Sequence, residues 1–356
     1  MRQINGRQGL QGLAFGFVLA VGGVAGAVEP DEEGALYLNS EFMIMGSSGT
    51  DLDVFELKLE DNSGNSSLGT IGLDSGVDFG WRGDLQWKEG PWGVGISGFY
   101  FDDEADEDVS IPGDTGSQET SLRFAGEGVD CDDDEFCIGS ASSEWETWMV
   151  DLYAIRELVS SPNASLDLQM GMRIASFEWE ASAFAARVEE VAGEFITQTD
   201  GSFVNSTSDL DDPLVGPFLA LLGKGRFGRF HLEGQLTQAV VFGEWDGSAV
   251  FSQFQSGQPL SDLFIDEQAA LGSSKDLTIP ITDVRLRVGF EVIDNLILGF
   301  GGYATTWFNV PRPPNSVAAD RPESVSTFQT DEENITMLGA SFSLSYRFAT
   351  GGLLPF

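Results

Sequence analysis

The sequence is poor in the side chains that most metal and catalytic sites need, with one histidine and two cysteines in 356 residues. A structural zinc site is close to excluded by this shortage, and a mechanism with two histidines is excluded outright. Basic residues are also scarce, since 18 Lys and Arg stand against 57 Asp and Glu and give a net charge of −39. Because this field repels phosphate backbones, nucleic acid is not an expected partner.

Long apolar runs are absent after residue 28, and the one before it is short. Two arginines precede the apolar run Leu13–Val24, and Ala25-Gly26-Ala27 follows it. This is the layout of a secretory signal peptide, whereas a membrane-spanning helix needs ~20 apolar residues. We therefore expect residues 1–27 to be a cleaved export signal.

The rest of the chain alternates between apolar and polar residues with a period of two. In Val77–Trp87 the apolar side chains occupy alternate positions, and Asp78, Arg82 and Asp84 lie between them. Successive side chains of a strand point to opposite faces, so each such stretch predicts a strand with an oily face and a wet face. Similar stretches are Phe230–Phe242, Val284–Phe290 and Thr336–Phe348.

The lengths of the connections distinguish a soluble sandwich from a membrane barrel. Short connections at Lys88–Pro91, Val159–Ser165, Gly223–Gly228 and Ile293–Asn295 alternate with long polar ones at roughly 102–144, 183–212, 244–278 and 309–333. This alternation puts short turns on one rim and long loops on the other, which is typical of outer-membrane barrels. The sequence thus predicts an all-β, transmembrane, antiparallel up-and-down barrel over residues 28–348, with short periplasmic turns, long extracellular loops and a tail over 349–356.

Tryptophans are expected to form aromatic girdles at the two membrane interfaces. Seven of the eight fall at predicted strand ends: Trp87, Trp92, Trp145, Trp148, Trp179, Trp245 and Trp307.

Ten strands are predicted, at 35–45, 76–87, 91–101, 145–157, 165–180, 214–223, 229–243, 281–292, 295–308 and 335–348. In this interpretation the first hairpin projects beyond the membrane, with its tip at Asn62–Ser66; splitting that stretch into two more strands would give twelve. Ten strands form a backbone cylinder of ~10 Å radius, so inward side chains leave a narrow or blocked passage.

Two resemblances narrow the prediction. The segment Gly339–Phe348 (GASFSLSYRF) resembles the last-strand signal of Gram-negative outer-membrane barrels, which implies that Phe342, Leu344, Tyr346 and Phe348 are read by the barrel-assembly machinery. The family usually ends at that aromatic, but here Ala349–Phe356 follows. The stretches Asp78–Trp87 and Asp151–Leu158 also look like the Legionella-type major outer-membrane protein family, which implies a pore.

Charged residues on the wet faces are forced into the lumen, because each would cost ~2–4 kcal/mol facing lipid at mid-depth. They form either a salt-bridge network that fills a small barrel or a constriction that selects solutes by charge. The predicted lumen residues are Arg82, Arg173, Arg285, Arg287, Arg347, Asp78, Asp84, Asp167, Glu233 and Glu291.

Other candidate sites are weaker. Gly93–Gly98 matches GxGxxG, but a strand and not a helix follows it, and no cofactor is expected. His231 is expected to be a hydrogen-bonded lumen residue. Cys131 and Cys137 are expected to form a disulfide in the longest loop. The acidic clusters lack the spacing of a calcium loop, so we expect a solvated surface, with weak divalent-cation bridging to lipopolysaccharide as the alternative.

The functional hypothesis with most support from the sequence is a narrow, charge-lined channel for small solutes in the outer membrane. The alternative is a non-conducting structural or surface-interaction barrel with acidic loops. A barrel enzyme comes third, because no nucleophile–base pair accompanies the single histidine.

Overall fold

The structure is a computed structural model. It describes residues 34–48, 52–61, 66–73, 76–112, 118–124, 127–131, 135–191, 194–210, 212–255, 265–313 and 332–349. The expected export signal at 1–27 lies outside the described residues, as does the expected tail beyond Ala349. In the described ranges no helix is long and apolar enough to cross a membrane.

Ten strands build the wall of the molecule. They are β1 (Ala35–Ser48), β4 (Val77–Glu89), β5 (Trp92–Pro112), β8 (Glu135–Ser161), β9 (Ala164–Val191), β11 (Leu214–Phe227), β12 (Phe230–Gln255), β13 (Ile265–Ile293), β14 (Leu296–Pro311) and β15 (Glu332–Ala349). Five others lie towards the long-connection end: β2 (Leu52–Asp61), β3 (Ser66–Leu73), β6 (Gln118–Phe124), β7 (Glu127–Cys131) and β10 (Glu194–Leu210).

The wall closes into a ring in which every pairing is antiparallel. Its order is β12-β11-β9-β8-β5-β4-β1-β15-β14-β13, and β13 pairs again with β12. The predicted ten-stranded barrel is therefore confirmed. Strand β10 extends the line of β11, because both pair with β9 and with β12 at successive levels.

The four turns on one rim have two residues each. Gly90 and Gly228 have φ of 55° and 65°, and Asn295 has φ of 70°. Three of the four turns thus contain a residue in the left-handed conformation, which glycine and asparagine adopt at least cost. The turn residues thus fix the short-turn end that the sequence predicts.

The outer surface of the wall carries a broad apolar belt. Leu236, Phe342 and Phe79 are exposed on it, whereas Arg82 and Arg285 are buried inside the ring. Along β5 the belt runs from Trp92, beside Arg156, to Asp102, beside Glu146. Ten tilted strand residues rise ~25 Å, the height of the apolar band of a membrane barrel. The oily faces therefore look outward, as the sequence predicts.

Two features beyond the belt differ from the prediction. Much of the polar sequence expected as long loops is strand, since β5 and β8 remain paired from Trp92 with Arg156 as far as Pro112 with Phe136. A strand ladder pairs the backbone whatever the side chains are, so solvated acids do not interrupt it. The first hairpin, β2 and β3, pairs with β6 in a separate four-stranded sheet with β7. The two extra barrel strands of the twelve-stranded alternative are therefore not formed.

A basic residue on the outer surface should destabilise the barrel only where that surface faces the membrane. Replacing the exposed Leu236 by arginine is expected to destabilise the barrel by ~2–4 kcal/mol, because the guanidinium would meet acyl chains. Guanidinium-induced unfolding in lipid vesicles measures this. Ser248→Arg, on the same face of β12 but beyond the belt, is the matched control and should cost little. Equal losses for both variants would contradict the placement of the belt.

Candidate functional site

The candidate site is the interior of the barrel, which side chains fill in two layers. The layer nearer the short turns is ionic, and its centre is Arg285 on β13. Its Nη1 lies 3.1 Å from Asp84 Oδ2 and 3.4 Å from Glu41 Oε2, and its Nη2 lies 2.9 Å from Glu233 Oε1. Arg285 therefore bridges acids on β1, β4 and β12, spanning much of the ring.

Arg287 and Arg82 extend this group on either side. Arg287 Nη2 lies 2.8 Å from Glu233 Oε2, and its Nη1 donates to Asn39 and Ser345. Arg82 Nε lies 3.7 Å from Asp84 Oδ2. Both oxygens of Glu233 are thus held by different arginines.

A second ionic group is centred on Arg173 of β9. Its Nε and Nη2 donate to the two oxygens of Asp151 at 2.7 and 2.9 Å, and its Nη2 also lies 2.7 Å from Asp283 Oδ2. Thr305 donates to Asp283 Oδ1 at 2.6 Å. Such multidentate, charge-assisted contacts fix the guanidinium plane. Closer to the turns, Lys88 Nζ lies 3.0 Å from each oxygen of Asp167.

Beyond the ionic layer the interior is apolar and aromatic. Trp145 stacks on Phe177 with ring centroids 5.3 Å apart and meets Trp179 edge-on at 5.7 Å. The indole N–H groups of Trp179 and Trp245 donate to Ser143 and Ser208. Aliphatic side chains complete the layer, among them Met43, Met45, Val241, Leu277, Ile279, Ile281, Ile335 and Met337.

This layer corrects the prediction for four tryptophans. Trp145, Trp179, Trp245 and Trp307 are at most 1% exposed and face inward, so they are not part of an interfacial girdle. The reason is parity: Trp145 has the same inward parity on β8 as Asp151, and an aromatic side chain stacked in a narrow lumen is shielded from both water and lipid. The other three, Trp87, Trp92 and Trp148, lie on the outward face near the edges of the belt.

The aromatic layer crosses the centre of the barrel. Trp145 on β8 and Trp307 on β14 meet edge-on with centroids 6.4 Å apart. These strands are five steps apart in either direction round the ten-stranded ring, so they lie opposite each other. A contact across the full diameter leaves no straight passage along the axis at this level.

The structure places the predicted lumen residues in different settings. Arg82, Asp84, Arg285, Arg287 and Glu233 come together in one ionic group, while Arg173 and Asp167 join separate acid–base contacts. The remaining three lie nearer the ends: half-buried Asp78 where β4 begins, Glu291 beside Arg226, and exposed Arg347. The prediction omitted Glu41, Asp151 and Asp283, which their inward parity in β1, β8 and β13 would have identified.

A cavity of about 360 Å³ opens at the short-turn end. It extends inward as far as Asp84 and Arg285, and His231 lies at its side, 3.6 Å from Glu291 Oε2. In the part of the chain that the structure describes, no three His, Cys, Asp or Glu residues are grouped as metal ligands.

The structure also locates the residues of the predicted disulfide and of the predicted assembly signal. Cys137 is buried and disulfide-bonded, and the side chain of Cys131 lies outside the described residues. Phe342, Leu344, Tyr346 and Phe348 line the outward face of β15, the strand that pairs with both β1 and β14. Their recognition by the barrel-assembly machinery stays a prediction.

Removing the central guanidinium should be far more costly than removing an exposed one. We expect Arg285→Met to destabilise the barrel by ~3–5 kcal/mol, since Glu41, Asp84 and Glu233 would keep buried charge without this partner. Arg226→Met, which removes the exposed pair with Glu291, should cost ~0–1 kcal/mol. Unfolding in vesicles compares the two. A small loss for Arg285→Met would show that the network adds little to stability.

No family model matches the sequence, and no curated protein matches it. Among solved structures, the outer membrane protease OmpT from Escherichia coli is 12% identical, with 91% of this chain and 99% of that chain covered and a TM-score of 0.45. The P. putida toluene transporter TodX is 9% identical over 90% and 91%, with a TM-score of 0.22. A Pseudomonas aeruginosa FadL homologue is 10% identical over 89% and 90%, with a TM-score of 0.21. These likenesses assign no activity to the chain, whose closed ring, apolar belt and enclosed charges are those of an outer-membrane β-barrel.

Proposed function

We propose that this protein is a closed outer-membrane barrel that carries an acidic surface outside the cell, and not an open channel. The observation that carries the proposal is the contact between Trp145 and Trp307 across the barrel diameter. In the proposed orientation the short turns face the periplasm, and the acidic strand extensions face outward. Of the two leading hypotheses from the sequence, this geometry supports the non-conducting barrel.

The ionic layer also favours a structural role. Its acids outnumber its bases only slightly, so it offers no strong field of one sign to select ions. The acids are Glu41, Asp84, Asp151, Asp167, Glu233 and Asp283, and the bases are Arg82, Lys88, Arg173, Arg285 and Arg287. Each listed arginine and Lys88 contacts at least one of these acids. The contacts of Lys88 with Asp167, of Arg173 with Asp283 and of Arg285 with Glu41 and Asp84 brace strands that are not neighbours in the ring.

Conductance measurements test the proposal directly. We expect the refolded protein to insert into planar lipid bilayers without steady open steps, because side chains close the lumen. Flotation of vesicles prepared in parallel shows whether the protein has inserted. Failed insertion is then not mistaken for a closed lumen. Steady steps whose ion selectivity changes in Arg287→Ala would instead establish the charge-lined channel and overturn the closed barrel.

The outward surface changes from apolar to acidic where the belt ends. Asp102 lies beside Glu146 and Glu146 beside Glu178, while Asp209 lies beside Asp246 on the neighbouring strands. We call these five residues the acidic collar. Partial burial, and then the charges of nearby acids including Glu180 and Glu146, raise the pKa of Glu178 above its ordinary value. Like charges directly opposite each other on a sheet are destabilising.

The collar gives the barrel a pH dependence of defined sign. Because the folded-state pKa of Glu178 is raised, its ionised form costs stability at neutral pH, and that cost disappears as the pH falls below the ordinary glutamate range. We expect Glu178→Gln to stabilise the barrel by ~0.2–1 kcal/mol at pH 7.5 and to have no effect near pH 3. Unfolding at the two pH values measures this. Glu89→Gln, at the short-turn end, is the control, and a destabilised Glu178→Gln at pH 7.5 would contradict the collar.

A further inference from the structure

Two basic side chains lie close to one tyrosine ring at the mouth of the short-turn cavity. Lys224 Nζ lies 5.5 Å from the centroid of the Tyr37 ring, and Arg347 Cζ lies 5.7 Å from the same centroid. Tyr37 is on β1 and Lys224 on β11, five steps round the ring, so this contact also spans the diameter. All three residues line the cavity of about 360 Å³.

Neither basic group has an acidic partner among the residues that the structure describes. The acids around them are held by other cations: Glu233 by Arg285 and Arg287, and Asp167 by Lys88. On the other side of the mouth Glu291 is held by Arg226, and His231 lies close to it. Lys224 lies opposite Glu233 on the paired strands, but no salt bridge joins them. Within the described residues, both basic groups therefore face the cavity without a salt bridge to an acid.

The chemistry of these groups fits an anion. An ammonium offers three N–H donors and a guanidinium five, and neither can accept a hydrogen bond. Charge-assisted hydrogen bonds to a carboxylate or a phosphate are roughly twice as strong as neutral ones. Both cations lie within 5.7 Å of the centroid of one tyrosine ring, and an anion that contacts both would offset their mutual repulsion. The half-buried position of Lys224 strengthens this preference, because water screens its charge less than it would at an open surface.

We propose that the short-turn mouth is a binding site for the carboxylate or phosphate group of a small anion, held between Lys224 and Arg347 beside the Tyr37 ring. In the proposed orientation the ligand enters from the periplasm. The aromatic layer lies beyond the cavity, so the site receives the anion without passing it on. The site does not depend on the barrel being closed, since a conducting barrel would bind the same group.

Isothermal titration in a zwitterionic detergent tests the site, with succinate as the carboxylate probe and inorganic phosphate as the second probe. Ionic strength is held constant with sodium chloride, so that general screening cancels. We expect at least one probe to bind with a Kd of about 1 mM or tighter, and the better probe identifies the preferred group. Arg347→Gln and Lys224→Gln should each weaken that binding by about fivefold or more, since each removes charge-assisted hydrogen bonds.

Arg156→Gln is the matched control. Arg156 is also at the short-turn end, but it stacks on Trp92 on the outward face, 4.2 Å from the ring centroid, and does not line the cavity. Its removal should leave binding within about twofold, because only the general field changes. Arg347 is exposed at the end of β15, so its variant should fold even if Lys224→Gln does not. No binding of either probe at about 10 mM, or equal weakening by Arg156→Gln and Arg347→Gln, would overturn the site.

Discussion

The structure depends on one constraint, which is the high cost of leaving polar groups among the acyl chains of a membrane. An ionised side chain there is expensive, and a backbone amide must be hydrogen-bonded. Closing ten antiparallel strands into a ring pairs the backbone of the belt within the wall. The two-residue period of a strand then assigns each side chain to lipid or to lumen. Arg285 lies between Val284 and Leu286 in sequence, yet it is buried with three carboxylates while its neighbours are exposed on the belt.

The small radius of a ten-stranded ring determines what the enclosed side chains do. Arginine is long enough to reach strands three or four steps away, as Arg285 reaches Glu41 on β1 and Asp84 on β4. A buried charge pair of this kind contributes little net stability, but one that loses its partner is expensive. The ionic layer thus penalises any change of register that would separate these partners. Above it, the stacked Trp145 and Phe177 need no partner charges and fill the same diameter by volume alone.

Much of this could be predicted from the sequence, because the decisive signals are local. Alternation places Arg82, Asp84 and Glu233 inside the barrel, and residues such as Gly90 and Asn295 mark the tight turns. The errors arose where position along a strand was used without parity. Trp145 and Trp148 fall at the same strand end, yet they differ by three residues and so face opposite sides of the wall. The identity of each ion-pair partner was beyond the sequence, since it depends on ring closure between residues more than 200 positions apart, such as Arg285 and Asp84.

Charge is distributed unevenly along the barrel axis, and the two ends of the barrel differ in their charged groups. Acids and bases nearly balance inside the belt, so most of the charge of −39 must lie outside it. On the strand extensions acidic side chains such as Glu178 lie in water, where repulsion is screened over about 8–10 Å. At the opposite rim, Lys224 and Arg347 converge on Tyr37. A wall about 25 Å high separates these two surfaces. In the closed barrel that we propose, the aromatic layer between them keeps the two compartments apart, which an open pore would not do.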